Sequence, residues 1–184
     1  MTDKTSQSNK AQTDTLQATN ARANAIHILS DEVRANIDRW IARYPADQKR
    51  SGVLEALRFA QNANNGYLTT EIMDAVADYL GMQRIAVYEV VSFYTLYNTA
   101  PVGKHILNLC TNISCMLSNS DKIMQHLKNR LNIDINETTP DKKFTLRQVE
   151  CLGACANAPV IHVGTKYYEN LTPEKVDALL DELE

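Results

Sequence analysis

His105-Ile106-Leu107-Asn108-Leu109-Cys110-Thr111-Asn112-Ile113-Ser114-Cys115 begins as a short apolar strand that ends at Cys110 and continues into a loop that carries Cys115. A second stretch has the same design. Phe144-Thr145-Leu146-Arg147-Gln148-Val149 alternates as a strand, and Cys151 and Cys155 follow at its end and in the next loop. If the two strands are parallel neighbours, both loops leave the same edge of one sheet. Between them, residues 120–131 place Ile123, Leu127 and Leu131 one helical turn apart. Downstream, residues 160–163 and 166–169 predict two short strands around a Gly164-Thr165 turn. Thr172 predicts the cap of a last helix. Pro173 stands at the first position, where its missing N–H costs nothing. Val176, Leu179, Leu180 and Leu183 then face inward. The C-terminal half is therefore strand, helix, strand, strand, strand, helix.

Upstream the period changes to that of helices. Ser30 predicts a cap, followed by Asp31 and Glu32 in a first turn that favours acidic side chains. Val33, Ile37, Trp40, Ile41 and Tyr44 make one apolar face, and Pro45 ends the helix. A second helix carries Val53, Leu54, Leu57 and Ala60, and Asn64-Asn65-Gly66 breaks it. A third starts near Thr69 or Thr70 with Ile72, Met73, Val76, Ala77 and Leu80 inward. Gly81 is its C-cap, since glycine takes the left-handed conformation without a Cβ clash. Residues 84–97 are apolar nearly all round and predict a buried helix, being long for a strand. Residues 98–103 contain Pro101 and Gly103 and predict a linker.

The expected organisation is a flexible tail over residues 1–28, a helical bundle region over 29–100 and an α/β domain over 101–184. The tail is rich in Ser, Thr, Asn, Gln, Lys and Ala, and Leu16 is its only large aliphatic before Ile26. With 184 residues and 44% apolar side chains, the chain can pack one ordinary core or two small ones. A net charge of −3 provides no basic field for a phosphate backbone. No apolar run approaches the roughly 20 residues of a spanning helix. The N-terminus lacks the apolar core of a secretory signal, and Asp3 and Asp14 do not suit an acid-poor presequence. The expected location is cytoplasmic, where four cysteines point to metal or redox chemistry more than to disulfides.

The cysteine spacing is Cys-x4-Cys, then 35 residues, then Cys-x3-Cys. Four thiolates at loops on one sheet edge suit an iron–sulfur cluster. Such a cluster carries net negative charge, more after reduction, and needs backbone N–H groups aimed at sulfur. Gly153, Ala154, Ala156 and Ala158 let the backbone come close. Lys142, Lys143 and Arg147 are the nearest bases in sequence, and none lies inside a cysteine loop; weak cation support predicts a low reduction potential. A structural zinc site also fits four cysteines and would make the chain an interaction module. A thiol–disulfide enzyme lacks its Cys-x-x-Cys, and four unrelated buried cysteines would not pair in matching loops.

The sequence resembles the family of E-type subunits of NADH:quinone oxidoreductase (respiratory complex I), which are thioredoxin-like [2Fe–2S] ferredoxins. The matching stretches are Tyr44-Pro45 with Gln48-Lys49-Arg50-Ser51, Ser92-Phe93-Tyr94-Thr95, Cys110-Thr111 through Cys115-Met116-Leu117, Glu137-Thr138-Thr139, Phe144-Thr145-Leu146, Val149-Glu150-Cys151-Leu152-Gly153-Ala154-Cys155, Asn157-Ala158-Pro159 and Leu171-Thr172-Pro173-Glu174. The resemblance implies a thioredoxin-like [2Fe–2S] domain over 101–184, with Cys110, Cys115, Cys151 and Cys155 as ligands of one cluster. It implies an FMN- and NADH-binding flavoprotein subunit as partner and electron source, and the larger iron–sulfur subunit of the peripheral arm as a second neighbour. It further implies a complex at the cytoplasmic face of the inner membrane, with no membrane insertion by this chain. No residue is implied as catalytic. The family also includes diaphorase subunits of NAD-linked hydrogenases and formate dehydrogenases. Asn119 stands where the family often has glycine, and Lys142 where an Asp-Gly turn is common; both bear on turn geometry rather than ligation.

Four other features have separate readings. Residues 71–94 mimic a helix-turn-helix, but the second helix offers only Arg84 as a base, so a helical corner is expected. His105 and His162 sit on strands and are expected to be structural, while His27 and His126 read as surface residues. Ala158-Pro159 precedes a strand and is a candidate cis peptide. The helical stripes around Trp40, Leu57 and Val76 are core, or alternatively the face that grips the flavoprotein.

Overall fold

A computed structural model describes residues 27–183. The expected tail lies outside the described residues except for residues 27 and 28. The chain forms two compact units that divide between Pro101 and Val102.

Among the described residues the first unit holds four helices, α1 (Asp31–Ile41), α2 (Val53–Ala63), α3 (Thr70–Leu80) and α4 (Arg84–Phe93), with a 3-10 segment over Ala46–Gly52 between the first two. The caps act as the sequence indicates. Ser30 Oγ accepts from the Val33 N–H at 3.3 Å, and Thr69 Oγ1 from the Ile72 N–H at 3.3 Å. Gly81 closes α3 with φ +67°. Val33, Ile37, Leu57, Leu68, Val76 and Val87 bury together as one core.

The fourth helix departs from expectation. It stops at Phe93, and only Val87 and Val91 of it are buried. Ile85, Phe93 and Leu96 are exposed. The reason is a set of long-range hydrogen bonds. The buried Gln61 amide donates to the Leu96 carbonyl at 3.1 Å and accepts from the Asn98 N–H at 2.8 Å. Asn98, expected in a linker, is itself buried and donates to the Gly66 carbonyl at 2.6 Å. These bonds hold residues 96–98 in an irregular path that a continued helix could not follow. The helical corner at Gly81 also has a structural explanation. Arg84 is paired with Asp74 at 2.8 Å and Asp78 at 3.2 Å, so the one base of α4 serves the helix packing.

The second unit comprises β1 (His105–Cys110), α5 (Ile113–Leu117), α6 (Ser120–Leu131), β2 (Phe144–Val149), β3 (Ile161–Val163), β4 (Lys166–Tyr168) and α7 (Pro173–Leu183). The sheet order is β2-β1-β3-β4. β1 and β2 are parallel, β1 and β3 antiparallel, and β3 and β4 antiparallel. Leu107, Leu109, Leu146 and Ile161 from the sheet bury against Ile123 and Leu127 of α6 and Val176 and Leu180 of α7. The outer edge of β2 is covered, with Asn136 donating to the Leu146 carbonyl at 2.7 Å and Leu146 to the Glu137 carbonyl at 3.1 Å. This protects an edge that would otherwise pair with another chain.

Two unusual residues in the sequence now have a geometric meaning. Asn119 has φ +68° and Lys142 has φ +59°. Both are left-handed positions, which glycine occupies without steric cost. Among the described residues no helix is long and apolar enough to cross a membrane.

Candidate metal centre

The parallel register of β1 and β2 sets the site. Residue pairs run from His105 opposite Phe144 to Cys110 opposite Val149. Both strands therefore end at the same edge, and both cysteine loops leave there. Cys110 is held on both sides: its N–H donates to the Val160 carbonyl at 3.0 Å, and the next residue, Thr111, donates to the Val149 carbonyl at 3.1 Å.

Cys115 does not lie in an open loop, the position its spacing suggests. It sits inside the short helix α5, whose N-cap Asn112 accepts from the Ile113 N–H at 2.9 Å. A five-residue helix is too short for periodicity to reveal, and the asparagine cap is its one local signal. Cys151 lies two residues beyond the end of β2 rather than on it, and Cys155 opens a 3-10 turn over Cys155–Asn157. The Ala158–Pro159 peptide that follows is cis. Asn157 anchors this turn, donating from its side chain to Glu169 at 2.8 Å and accepting from the Asn170 N–H at 2.7 Å.

The four thiols are free and fall into two environments. Cys110 and Cys115 are buried, whereas Cys151 and Cys155 are exposed. Burial pushes the Cys115 thiol up to about 11; the hydrogen-bonded neighbour Cys110 adds to the shift, and Cys155 contributes a smaller effect of the same sign. A hydrogen bond from the Val160 backbone acts the other way. Cys110 and Cys115 thus stand together, with Cys155 near enough to act electrostatically. Among the described residues no three His, Cys, Asp or Glu side chains converge as a ready metal site.

The donor chemistry fits a thiolate-bound iron–sulfur cluster. A backbone N–H already addresses sulfur: Gly153, at φ +76°, donates to Cys151 Sγ at 3.4 Å. Hydrogen bonds of this kind stabilise thiolate charge. The histidines stand elsewhere. His105 begins β1, a strand's length from Cys110, and His162 on β3 packs against Tyr167 with ring centroids 5.0 Å apart and the rings tilted by 49°. Lys142 and Lys143 precede β2, at the end of the strand opposite the cysteines. Arg147 is half-buried within β2.

A family model described as thioredoxin-like [2Fe–2S] ferredoxin matches residues 37–184. This chain is 46% identical over 143 residues to the E-type subunit of NADH-quinone oxidoreductase from Rickettsia bellii, covering 78% of this chain and 86% of the relative. It is 46% identical over 149 residues to an E-type subunit of NADH-quinone oxidoreductase from Rhizobium meliloti, covering 81% and 87%. The mitochondrial NADH dehydrogenase [ubiquinone] flavoprotein 2 of Dictyostelium discoideum is 39% identical over 154 residues, covering 84% of this chain and 62% of that one. Among solved structures, an NAD+-reducing [NiFe]-hydrogenase chain aligns with a TM-score of 0.62 at 16% identity, covering 72% of this chain. This chain spans 22% of the hydrogenase chain, and the likeness shows the fold alone.

Proposed function

The chain belongs to the thioredoxin-like [2Fe–2S] ferredoxin family, and from that premise we propose that it is the electron-carrying E-type subunit of an NADH–quinone oxidoreductase. Cys110, Cys115, Cys151 and Cys155 are the proposed ligands. The observation that carries this reading is the parallel β1–β2 register, which sends both cysteine pairs off one sheet edge. Relatives named as E-type subunits of that complex, matched over most of their length, support the assignment.

When bound, a [2Fe–2S] cluster supplies reversible one-electron chemistry. The chain's own residues give it a site with two sides. Cys110 and Cys115 would hold it from the buried side, away from water. Cys151 and Cys155 would hold it from the exposed side, where the Gly153 N–H donates to Cys151 sulfur. Lysines kept at the far end of β2 give that charge little cationic support, which favours a low potential. The proposed electron source is FMN on a partner flavoprotein subunit that also binds NADH, and the larger iron–sulfur subunit of the peripheral arm is a further neighbour. Ile113, Met116 and Leu117 are exposed on the helix that holds Cys115, a surface suited to such a partner. The complex is assigned to the cytoplasmic face of the inner membrane. Among the described residues no group is placed for acid, base or nucleophilic work, so this chain is not expected to oxidise NADH by itself.

The test is anaerobic purification, iron and sulfide analysis, and an EPR spectrum after dithionite. Iron and acid-labile sulfide in equal amounts, with a reduced-state signal altered by Cys→Ser at each of the four positions, is the expected result. Zinc without sulfide, or four variants with unchanged spectra, would falsify the assignment.

A further inference from the structure

We propose that Asn112 and Glu150 form a clasp that locks the two cysteine loops together, and that the Glu150 carboxylate holds the reduction potential of the centre down. This rests on the electron-carrier reading above and adds two positioning residues to it.

The clasp sits at the point where the sheet stops. The β1–β2 ladder ends with Cys110 opposite Val149. Thr111 prolongs it by one step, its N–H donating to the Val149 carbonyl at 3.1 Å and its hydroxyl to the same oxygen at 3.4 Å. Beyond that step Asn112 reaches diagonally across to Glu150, its Nδ2 donating to Glu150 Oε2 at 3.1 Å. Asn112 Oδ1 meanwhile accepts from the Ile113 N–H at 2.9 Å. One side-chain amide therefore does two things. It starts the helix that carries Cys115, and it grips the residue immediately before Cys151.

Few residues could take this place. The amide of asparagine has both an acceptor and a donor. Aspartate or serine offers an oxygen to the helix start, but ionised aspartate has no proton for Glu150, and serine is too short to reach it. The bond to a carboxylate is charge-assisted, stronger than a neutral one. It couples the buried cysteine pair to the exposed pair, so movement of the Cys151 loop must break it.

Glu150 also places a negative charge next to Cys151, at the end of β2 away from Lys142 and Lys143. Adding an electron beside a fixed negative charge is less favourable, and exposure to solvent damps the effect without reversing it.

The experiment uses the iron-loaded chain and three variants that separate bond from charge. Glu150→Gln keeps an oxygen for Asn112 and removes the charge. Glu150→Ala removes both. Asn112→Ser keeps a capping oxygen and removes the donor. The midpoint of an EPR-monitored redox titration is expected to move to higher potential in Glu150→Gln and Glu150→Ala. Cluster release to an iron chelator is expected to quicken on the order of tenfold in Glu150→Ala and Asn112→Ser, and to stay near wild type in Glu150→Gln. Release at the wild-type rate in both Glu150→Ala and Asn112→Ser overturns the clasp. An unmoved midpoint in both Glu150 variants overturns the charge role. Wild-type protein that binds no iron or sulfide overturns the electron-carrier reading together with this one, whereas a loaded wild type with indifferent variants overturns this inference alone.

Discussion

Leu107 and Leu146 lie opposite each other on the parallel strands β1 and β2, and both are fully buried. The pair fixes the register three residues before Cys110 and Val149 meet at the sheet edge. A slip by one residue would turn each strand's apolar side chains to the wrong face. Leu146→Ala leaves a cavity in this layer and is expected to cost about 2–5 kcal/mol. Urea unfolding followed by circular dichroism measures it. A loss below about 1 kcal/mol would show that the layer collapses around the gap.

The two cysteine environments predict an order of chemical reactivity in the iron-free chain. Cys151 and Cys155 are exposed, while Cys110 and Cys115 are buried. Burial and the adjoining Cys110 hold the Cys115 thiol up at about 11, so little thiolate forms near neutral pH. Brief iodoacetamide treatment and peptide mass analysis should find Cys151 and Cys155 alkylated first and Cys110 and Cys115 last. Equal labelling of all four would contradict the buried pair.

His105 predicts a pH dependence. Its Nε2 is buried without a hydrogen-bond partner among the described residues. Burial lowers its pKa from the ordinary value, Lys104 adds to this, and a backbone hydrogen bond at Leu183 opposes it. The unfolded chain therefore takes up the proton at a higher pH than the folded one. Stability is full above the unfolded value of about 6.5 and is lost as pH falls below it towards the folded value. His105→Gln should lose less stability than wild type between about pH 7.5 and pH 5.5 in parallel denaturant titrations. Identical losses would remove His105 from the account.

Local signals carry most of the fold. Ser30, Thr69 and Gly81 each cap the helix that their residue type and spacing indicate. The strands around the cysteines are legible because alternation and length agree. Non-local bonds are not legible. Nothing near residue 96 announces that the Gln61 amide, far earlier in the chain, will hold Leu96 and Asn98. Apolar pattern also cannot separate core from outward surface, which is why α4 has the pattern of a buried helix while Ile85 and Phe93 are exposed. At the site, strand ends are visible but α5 is not, since its one turn carries no period. The bond between Asn112 and Glu150 depends on strand register, which no local pattern determines.

Lys142 offers the last test, because its backbone costs energy that its side chain does not return. It holds φ +59° in the turn before β2, where its N–H donates to the Thr139 carbonyl at 2.8 Å and its carbonyl accepts from the Lys104 N–H at 2.9 Å. The left-handed conformation costs an ordinary residue roughly 1–2 kcal/mol. Glycine avoids that cost but loses roughly 0.5–1 kcal/mol more chain entropy on folding. Lys142→Gly is therefore expected to gain about 0.5–1 kcal/mol, read as a higher denaturant midpoint. Asn119 is the control. It has φ +68°, but asparagine visits this region readily, so Asn119→Gly should be near neutral. A destabilised Lys142→Gly, or a larger gain at Asn119, would mean that side-chain contacts rather than backbone conformation decide these two turns.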